Sequence, residues 1–117
     1  MMLMYCNYIQ HKNDWWWGKT TTLIHKDGIA TVELQFDNNY PTVAFIKGLS
    51  VFDLYRKKGY GKQMLRLCED IAKKEGKLFL QLSVDKDCEW LVNWYKREYF
   101  DIIYVDEHEY TMWKKLK

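Results

Sequence analysis

The first half of the chain alternates apolar and polar residues with a period of two, which is typical of strands that bury one face. The alternation predicts strands over Met2–Gln10, Lys19–Lys26, Ile29–Asp37 and Val43–Val51. Asp27-Gly28 is a strong hairpin signal, and Asn38-Asn39-Tyr40-Pro41 predicts the next turn. These segments are therefore expected to form an antiparallel meander.

After Gly59 the apolar spacing changes to that of a helix, with Met64, Leu65, Cys68, Ile71 and Ala72 on one face and Gly76 ending it. A strand over Leu78–Val84, a helix over Asp87–Glu98 and a hairpin of Phe100–Val105 with His108–Lys115 follow. A strand, a crossover helix and a returning strand imply parallel pairing. The chain, residues 1–117, is thus predicted to be one α+β domain.

The most informative segment joins the strand that ends at Val51 to the first helix. Its loop carries Gly59 and Gly61 where the helix begins, so free backbone N–H groups and the helix dipole favour a phosphate group there. Four cations surround the glycines: Arg56, Lys57, Lys58 and Lys62. The P-loop and the dinucleotide fingerprint both need glycine spacings that this loop lacks. The segment predicts a pyrophosphate site, although a solvated basic turn is the simpler alternative.

Arg56-Lys57-Lys58-Gly59-Tyr60-Gly61 resembles motif A of the GCN5-related N-acetyltransferases (GNAT), Arg/Gln-x-x-Gly-x-Gly/Ala. The resemblance extends from about Lys19 to the end of the chain. It implies a mixed, mostly antiparallel sheet with a parallel βαβ centre, acetyl-CoA as co-substrate and an amine as acceptor. Carried over residue by residue, it implies that the co-substrate is bound by Leu49, Ser50, Val51, Arg56, Lys57, Lys58, Gly59, Tyr60, Gly61 and Lys62.

The second half of the resemblance names a candidate acid. Tyr95 falls on the family tyrosine that protonates the departing thiolate, and a phenol with a pKa of ~10 carries its proton at neutral pH. Tyr95 could instead be one more buried aromatic residue. The sequence departs from the family pattern at three positions, which puts binding of the pantetheine arm in question: Cys88 for Asn, Leu91 for Ala and Tyr99 for Gly.

The N-terminal half is reduced, because His11–Gly18 is too short for the family's first helices. The acceptor side is therefore expected to be open or completed by a second subunit, so a homodimer is expected as one possibility. At least one indole of Trp15-Trp16-Trp17 should be exposed. These tryptophans either form a wall or contact surface or cover the sheet edge.

The residues do not single out a general base for the amine. No acid lies in Val43–Val51, and Ser83 stands where some family members have one. The remaining candidates are Glu33, Asp37, His25 and His108, or a water relay that touches Ser83.

Composition narrows the function classes. A net charge of +2 in 117 residues argues against a dedicated nucleic-acid binder. Three widely spaced cysteines, Cys6, Cys68 and Cys88, lack metal-ligand spacing, so we expect no metal site and a reduced, cytoplasmic setting. The apolar start, Met1 to Ile9, is too short for a membrane span. The expected function is N-acetyl transfer from acetyl-CoA, and the alternative is a non-catalytic module that binds coenzyme A or a partner.

Overall fold

The structure is a computed structural model that describes residues 2–5, 7–52 and 56–117. Its ten elements are β1 (Met2–Tyr5), β2 (Tyr8–Trp15), β3 (Gly18–His25), β4 (Ala30–Asp37), β5 (Val43–Val51), α1 (Tyr60–Lys74), β6 (Phe79–Asp85), α2 (Glu89–Arg97), β7 (Asp101–Val105) and β8 (Glu109–Lys115). Within these described residues, neither helix has the length and apolar character needed to cross a bilayer.

All the described strands form one sheet in the order β1-β2-β3-β4-β5-β6-β8-β7. Every neighbouring pair is antiparallel except β5 and β6, which are parallel and joined through α1. The predicted α+β class, with a mostly antiparallel sheet around a parallel βαβ unit, is confirmed.

The N-terminal part differs from the prediction. The expected single strand Met2–Gln10 is wrong, since β1 and β2 pair as a hairpin whose last pair is Tyr5 with Tyr8. The expected gap at His11–Gly18 is also wrong, because β2 continues to Trp15, which pairs with Gly18 across a two-residue turn. Asn7 is a common turn residue and was the overlooked signal. Cys6 lies outside the described residues.

Both helices pack on the same face of the sheet in the described chain. Alternate residues of β4 and β6 are buried on this helix face, Val32 and Leu82 among them, in a core shared with Met64 of α1 and Val92 of α2. On the opposite face of β4, β5 and β6 the side chains are half-buried or exposed. We call this second side the open face.

The parallel pair β5–β6 separates soon after it begins. The two strands are paired from Val43 with Phe79 to Phe45 with Gln81, and no further pairing is present within the described chain. Gly48 has a φ of +58° beside a register shift between β4 and β5, so the strand changes direction there. The divergence of β5 from its parallel neighbour opens a cleft toward Val51.

Candidate functional site

A cavity of about 1020 Å³ lies beside the diverging end of β5, between that strand end, the start of α1 and one face of α2. A cavity of this size is in the range of sites for small molecules and cofactors. Its walls are formed by Leu49, Ser50, Val51, Arg56, Lys57, Gly59, Gly61, Lys62, Trp90, Leu91, Trp94, Arg97 and Glu98. Residues 53–55 of the intervening loop lie outside the described residues.

The structure brings together nearly all the residues that the sequence assigned to the co-substrate. They line one cavity, with the exception of Lys58 and Tyr60. Lys58 is exposed in the loop, and the Tyr60 ring packs on the other side of the helix start, against His25.

The two motif glycines are needed for different reasons. Gly59 precedes α1 with a φ of +88°, a left-handed conformation that L side chains rarely adopt, while the space around it is open. Gly61 is in the first turn of the helix, and a Cβ added there would lie 3.2 Å from Cζ2 of Trp94. The first glycine therefore sets the backbone, and the second allows α2 to approach.

The end of β5 directs backbone groups into the cleft. The Phe52 N–H donates to the Ile29 carbonyl, and Val51 pairs with Ala30. In an antiparallel pair, alternate residues point their N–H and C=O groups toward the partner strand and away from it. Those of Val51 therefore point away from β4. In agreement, the Val51 carbonyl accepts a hydrogen bond from Arg56 Nε at 3.2 Å.

Helix α2 contributes a wall that sequence reasoning largely missed. Its cavity residues recur with helical spacing along one stripe: Trp90, Leu91, Trp94, Arg97 and Glu98. The signal in the sequence was this helical spacing. In the structure the stripe is separate from the residues of α2 that are buried in the core, Val92 and Tyr95. The guanidinium of Arg56 lies over the Trp90 ring, 5.5 Å from its centroid, which links the loop to this wall.

The charges at the cavity form a connected network. Glu98 is 7% exposed and accepts from Arg66, with Nη2 to Oε1 at 3.3 Å, while Lys62 Nζ lies 3.8 Å from its Oε2. Arg66 also pairs with Glu69, which in turn binds Lys114 at 3.1 Å. One buried carboxylate thus offsets part of the positive charge and holds Lys62 beside the helix start.

Behind the loop, three rings connect the N-terminal hairpin to α1. The buried His25 ring packs edge-on against Tyr8 at 5.1 Å and against Tyr60 at 5.5 Å. Its Nδ1 accepts a hydrogen bond from the Asp27 N–H, and the Tyr8 hydroxyl donates to Gln63 Oε1. Burial, with a smaller contribution from Tyr60, raises the pKa of Tyr8. These contacts fix the first turn of α1 against the sheet.

Tyr95, the predicted acid, is 5% exposed and does not line the cavity. It lies one helical turn beyond Leu91, which does, and its ring packs against Trp94 and Phe100. Burial raises its pKa well above the ordinary phenol value, with a smaller contribution from Cys68. The side chain therefore remains protonated at neutral pH.

None of the general-base candidates lines the cavity. Glu33 lies on the open face beside Lys47 and accepts from Gln35 at 2.8 Å, and Ser83 is exposed on the same face. His25 is buried on the helix face, whereas Asp37 and His108 lie at the end of β4 and in the β7–β8 turn.

The three departures from the family pattern have separate consequences. Leu91 lines the cavity, and Cys88 is half-buried at the residue that precedes α2. Tyr99 has a φ of +73°, so it adopts the left-handed conformation that glycine favours after a helix. The Phe100 N–H bonds the Tyr95 carbonyl across this turn, and Tyr99 bears the backbone strain.

Comparisons with known proteins agree with this geometry. Residues 5–100 match the profile of the Acetyltransferase (GNAT) family. Among solved structures, nourseothricin acetyltransferase aligns with a TM-score of 0.75 at 17% identity, over 86% of this chain and 66% of that one. The PaiA N-acetyltransferase of Thermoplasma acidophilum, in complex with coenzyme A, aligns at 0.71 and 26% identity, over 82% and 59%. A Bacillus subtilis acetyltransferase in complex with CoA aligns at 0.71 and 19% identity, over 86% and 78%.

The chain therefore spans less than two thirds of the length of the first two of these structures. A search of curated proteins finds no match. The family profile nevertheless covers most of the chain, including the glycine loop, the cleft and both helices. On this evidence the chain belongs to the GNAT acetyltransferase family.

Proposed function

We propose that this protein transfers the acetyl group of acetyl-CoA to an amine. The observation that carries the proposal is the cavity beside the diverging end of β5, which joins a positively charged helix N-terminus to a stretch of β5 that has no strand partner on the β6 side in the described chain. A relative of 26% identity has been solved in complex with coenzyme A, and the family profile supports an acyltransferase.

Different residues at the cavity suit different parts of acetyl-CoA. The N–H groups at the start of α1 and the cations Arg56, Lys57 and Lys62 suit a pyrophosphate. The edge of β5 beyond Phe45 has no strand partner on the β6 side in the described chain, so its backbone groups can bind the amides of an extended arm like an added strand. Trp90 and Trp94 give this arm an apolar wall.

The chemistry requires an oxyanion donor and a proton for sulfur. As the amine nitrogen bonds to the thioester carbon it gives up one proton to solvent water, the C–S bond breaks, and the Val51 N–H can stabilise the developing oxyanion. Tyr95 is proposed to give its proton to the thiolate at the inner end of the cleft. Its raised pKa keeps the hydroxyl protonated at neutral pH, as an acid requires, and Leu91, one helical turn before it, lines the cavity.

Setting and assembly are also part of the proposal. A single sheet that extends from residue 2 to residue 115 supports one domain over residues 1–117. Cys68 and Cys88 are free thiols, which supports a reduced cytoplasmic setting. A homodimer is likewise proposed.

The binding test compares two glycines with the same backbone conformation. Gly59 and Gly76 have φ values of +88° and +76°, and an added Cβ meets nothing within 4 Å at either. Gly59→Ala and Gly76→Ala should therefore lose similar stability, about 1–2 kcal/mol each. By calorimetry, only Gly59→Ala should weaken coenzyme A binding, by about tenfold or more. Equal affinity in the two folded variants would overturn the binding site.

A second candidate function, binding of coenzyme A without turnover, is favoured by one observation. Neither Tyr95 nor any general-base candidate lines the cavity. Release of free thiol from acetyl-CoA with a panel of amines separates the two. Amine-dependent thiol release supports the transferase, and binding without release across the panel supports the module.

A further inference from the structure

The open face of the sheet carries a group of aromatic side chains that the proposed reaction does not use. We name it the aromatic belt, and it consists of Trp15, Trp17, Phe45, Phe79 and Trp113. The rings of Phe79 and Trp113 stack at 4.2 Å with an angle of 6° between their planes. Those of Trp15 and Trp17 are parallel within 3° at 6.4 Å. The belt has two parts, Trp15 and Trp17 at the β2–β3 turn and the other three residues across β5, β6 and β8, with Gly18 and Asp37 between them.

The belt breaks the usual pattern of an antiparallel sheet, in which the face that is turned from the core is polar. The other end of the same face follows that pattern, with Glu33, Lys47 and Ser83. Trp15 is 52% exposed, and the other four belt residues are half-buried. A large apolar patch of this kind is a mark of an interaction surface.

We propose that the belt packs against the belt of a second copy of this chain, sheet on sheet. The first argument is area. Eight strands at about 4.8 Å spacing, with an average of about seven residues or roughly 23 Å each, give a face of roughly 800–900 Å². A stable interface buries about 800 Å² per partner, with an apolar centre and a polar rim. The aromatic belt supplies that centre, and the polar end supplies the rim.

The second argument is charge complementarity. Val43, Phe79 and Lys115 form one row across β5, β6 and β8, and continuing the β4–β5 register by one pair adds Asp37. Consider a two-fold axis that runs parallel to the strands, between β5 and β6. It places the row of one copy against the same row of the other copy in reverse order. It places Asp37 of one copy opposite Lys115 of the other, and Val43 opposite Phe79.

The third argument is compatibility with the cavity. The belt is centred on the segment where β5 and β6 are paired, from Val43 to Phe45, whereas the cleft opens toward Val51. Both helices bound the cavity from the other side of the sheet. A second copy on the open face therefore leaves the helix side accessible.

The test is the oligomeric state of the full chain with matched charge variants. By sedimentation equilibrium the parent protein should be a dimer. Lys115→Glu should weaken it by about tenfold, since the introduced carboxylate would then oppose Asp37 of the second copy. Adding Asp37→Lys should restore association to within about threefold of the parent. Lys73→Glu, an equal charge change on the exposed side of α1, is the control.

Phe79→Thr provides an independent probe of the apolar centre and should give a monomer, with a melting curve to show that it is folded. A parent protein that stays monomeric up to about 100 µM would overturn the interface. So would a dimer that Lys115→Glu and folded Phe79→Thr leave intact, because it would be formed by another surface. A dimer that Lys115→Glu weakens but the double variant does not rescue would overturn the two-fold arrangement.

Discussion

A Cβ atom at Gly61 would lie 3.2 Å from Cζ2 of Trp94, so the first turn of α1 and the cavity face of α2 meet at van der Waals distance. Gly61→Ala should therefore force the indole to shift, and we expect the overpacking cost of about 1–3 kcal/mol to exceed the roughly 1 kcal/mol that alanine gains over glycine in a helix. Urea unfolding measures the loss.

Trp94→Leu offers the control, because it removes the group with which the new methyl collides. In the double variant the cost of Gly61→Ala should fall by at least about 1 kcal/mol, measured as a coupling energy. A cost that is the same with and without the indole would show that the two residues do not oppose each other.

An experiment can distinguish a catalytic role of Tyr95 from a role in packing. Tyr95→Phe keeps the ring that contacts Trp94 and Phe100, so the melting temperature should change little. With an acceptor amine identified, kcat should fall by about 10²–10⁴-fold while coenzyme A affinity holds. Tyr104→Phe makes the same chemical change at an exposed site. If kcat of the Tyr95 variant matches that of this control, Tyr95 is a core residue only.

Stability should fall in alkaline solution because of the buried thiol. Burial, with a smaller contribution from Glu69, raises the pKa of Cys68 from 9.0 to about 12. Above pH 9 the unfolded chain loses this proton while the native chain keeps it, so the contribution is complete below pH 9 and is lost as the pH rises toward 12. Denaturant unfolding between about pH 8 and pH 11 should show a shallower decline in Cys68→Ala than in the parent. Parallel declines would place the sensitive group elsewhere.

Tyr99 carries backbone strain that glycine would relieve. Its φ of +73° is in the left-handed region, where an ordinary residue costs roughly 1–2 kcal/mol. Its ring contributes only an exposed contact, with Lys114 Nζ 5.6 Å from the centroid. Tyr99→Gly should therefore raise stability by about 0.5–1 kcal/mol in thermal unfolding. Tyr99→Ala, which loses the ring but keeps the Cβ, should not.

The sequence predicted the fold where local signals and tertiary packing agreed. Asp27-Gly28 and the alternation of β4 identified a hairpin, and the helical spacing from Met64 to Ala72 identified α1. The hairpin of β1 and β2 was missed because a segment with little polar contrast, Met2–Gln10, was interpreted as one strand. Asn7 is a local signal for the turn. The hydrogen bond that its carbonyl accepts from the Lys26 N–H is a tertiary contact, which no local pattern reveals.

The candidate site was predictable on the side of the loop and less so on the side of α2. Motif glycines and basic residues are local signals, and most of the loop residues that they mark line one cavity. Which side of α2 faces that cavity depends on how the helix rotates against α1. Tyr95 and Trp94 are adjacent in sequence, yet only Trp94 contacts the cavity, because the core takes the other stripe.

Because β5 and β6 separate early, the sheet consists of two unequal parts, which we call plates. Five strands, β1 to β5, form one plate, and β6, β7 and β8 form the other. The paired residues from Val43 to Phe45 and the crossover helix α1 act as the joint between them. A molecule that binds β5 on one side of the cavity and α2 on the other would therefore hold the two plates at a fixed angle.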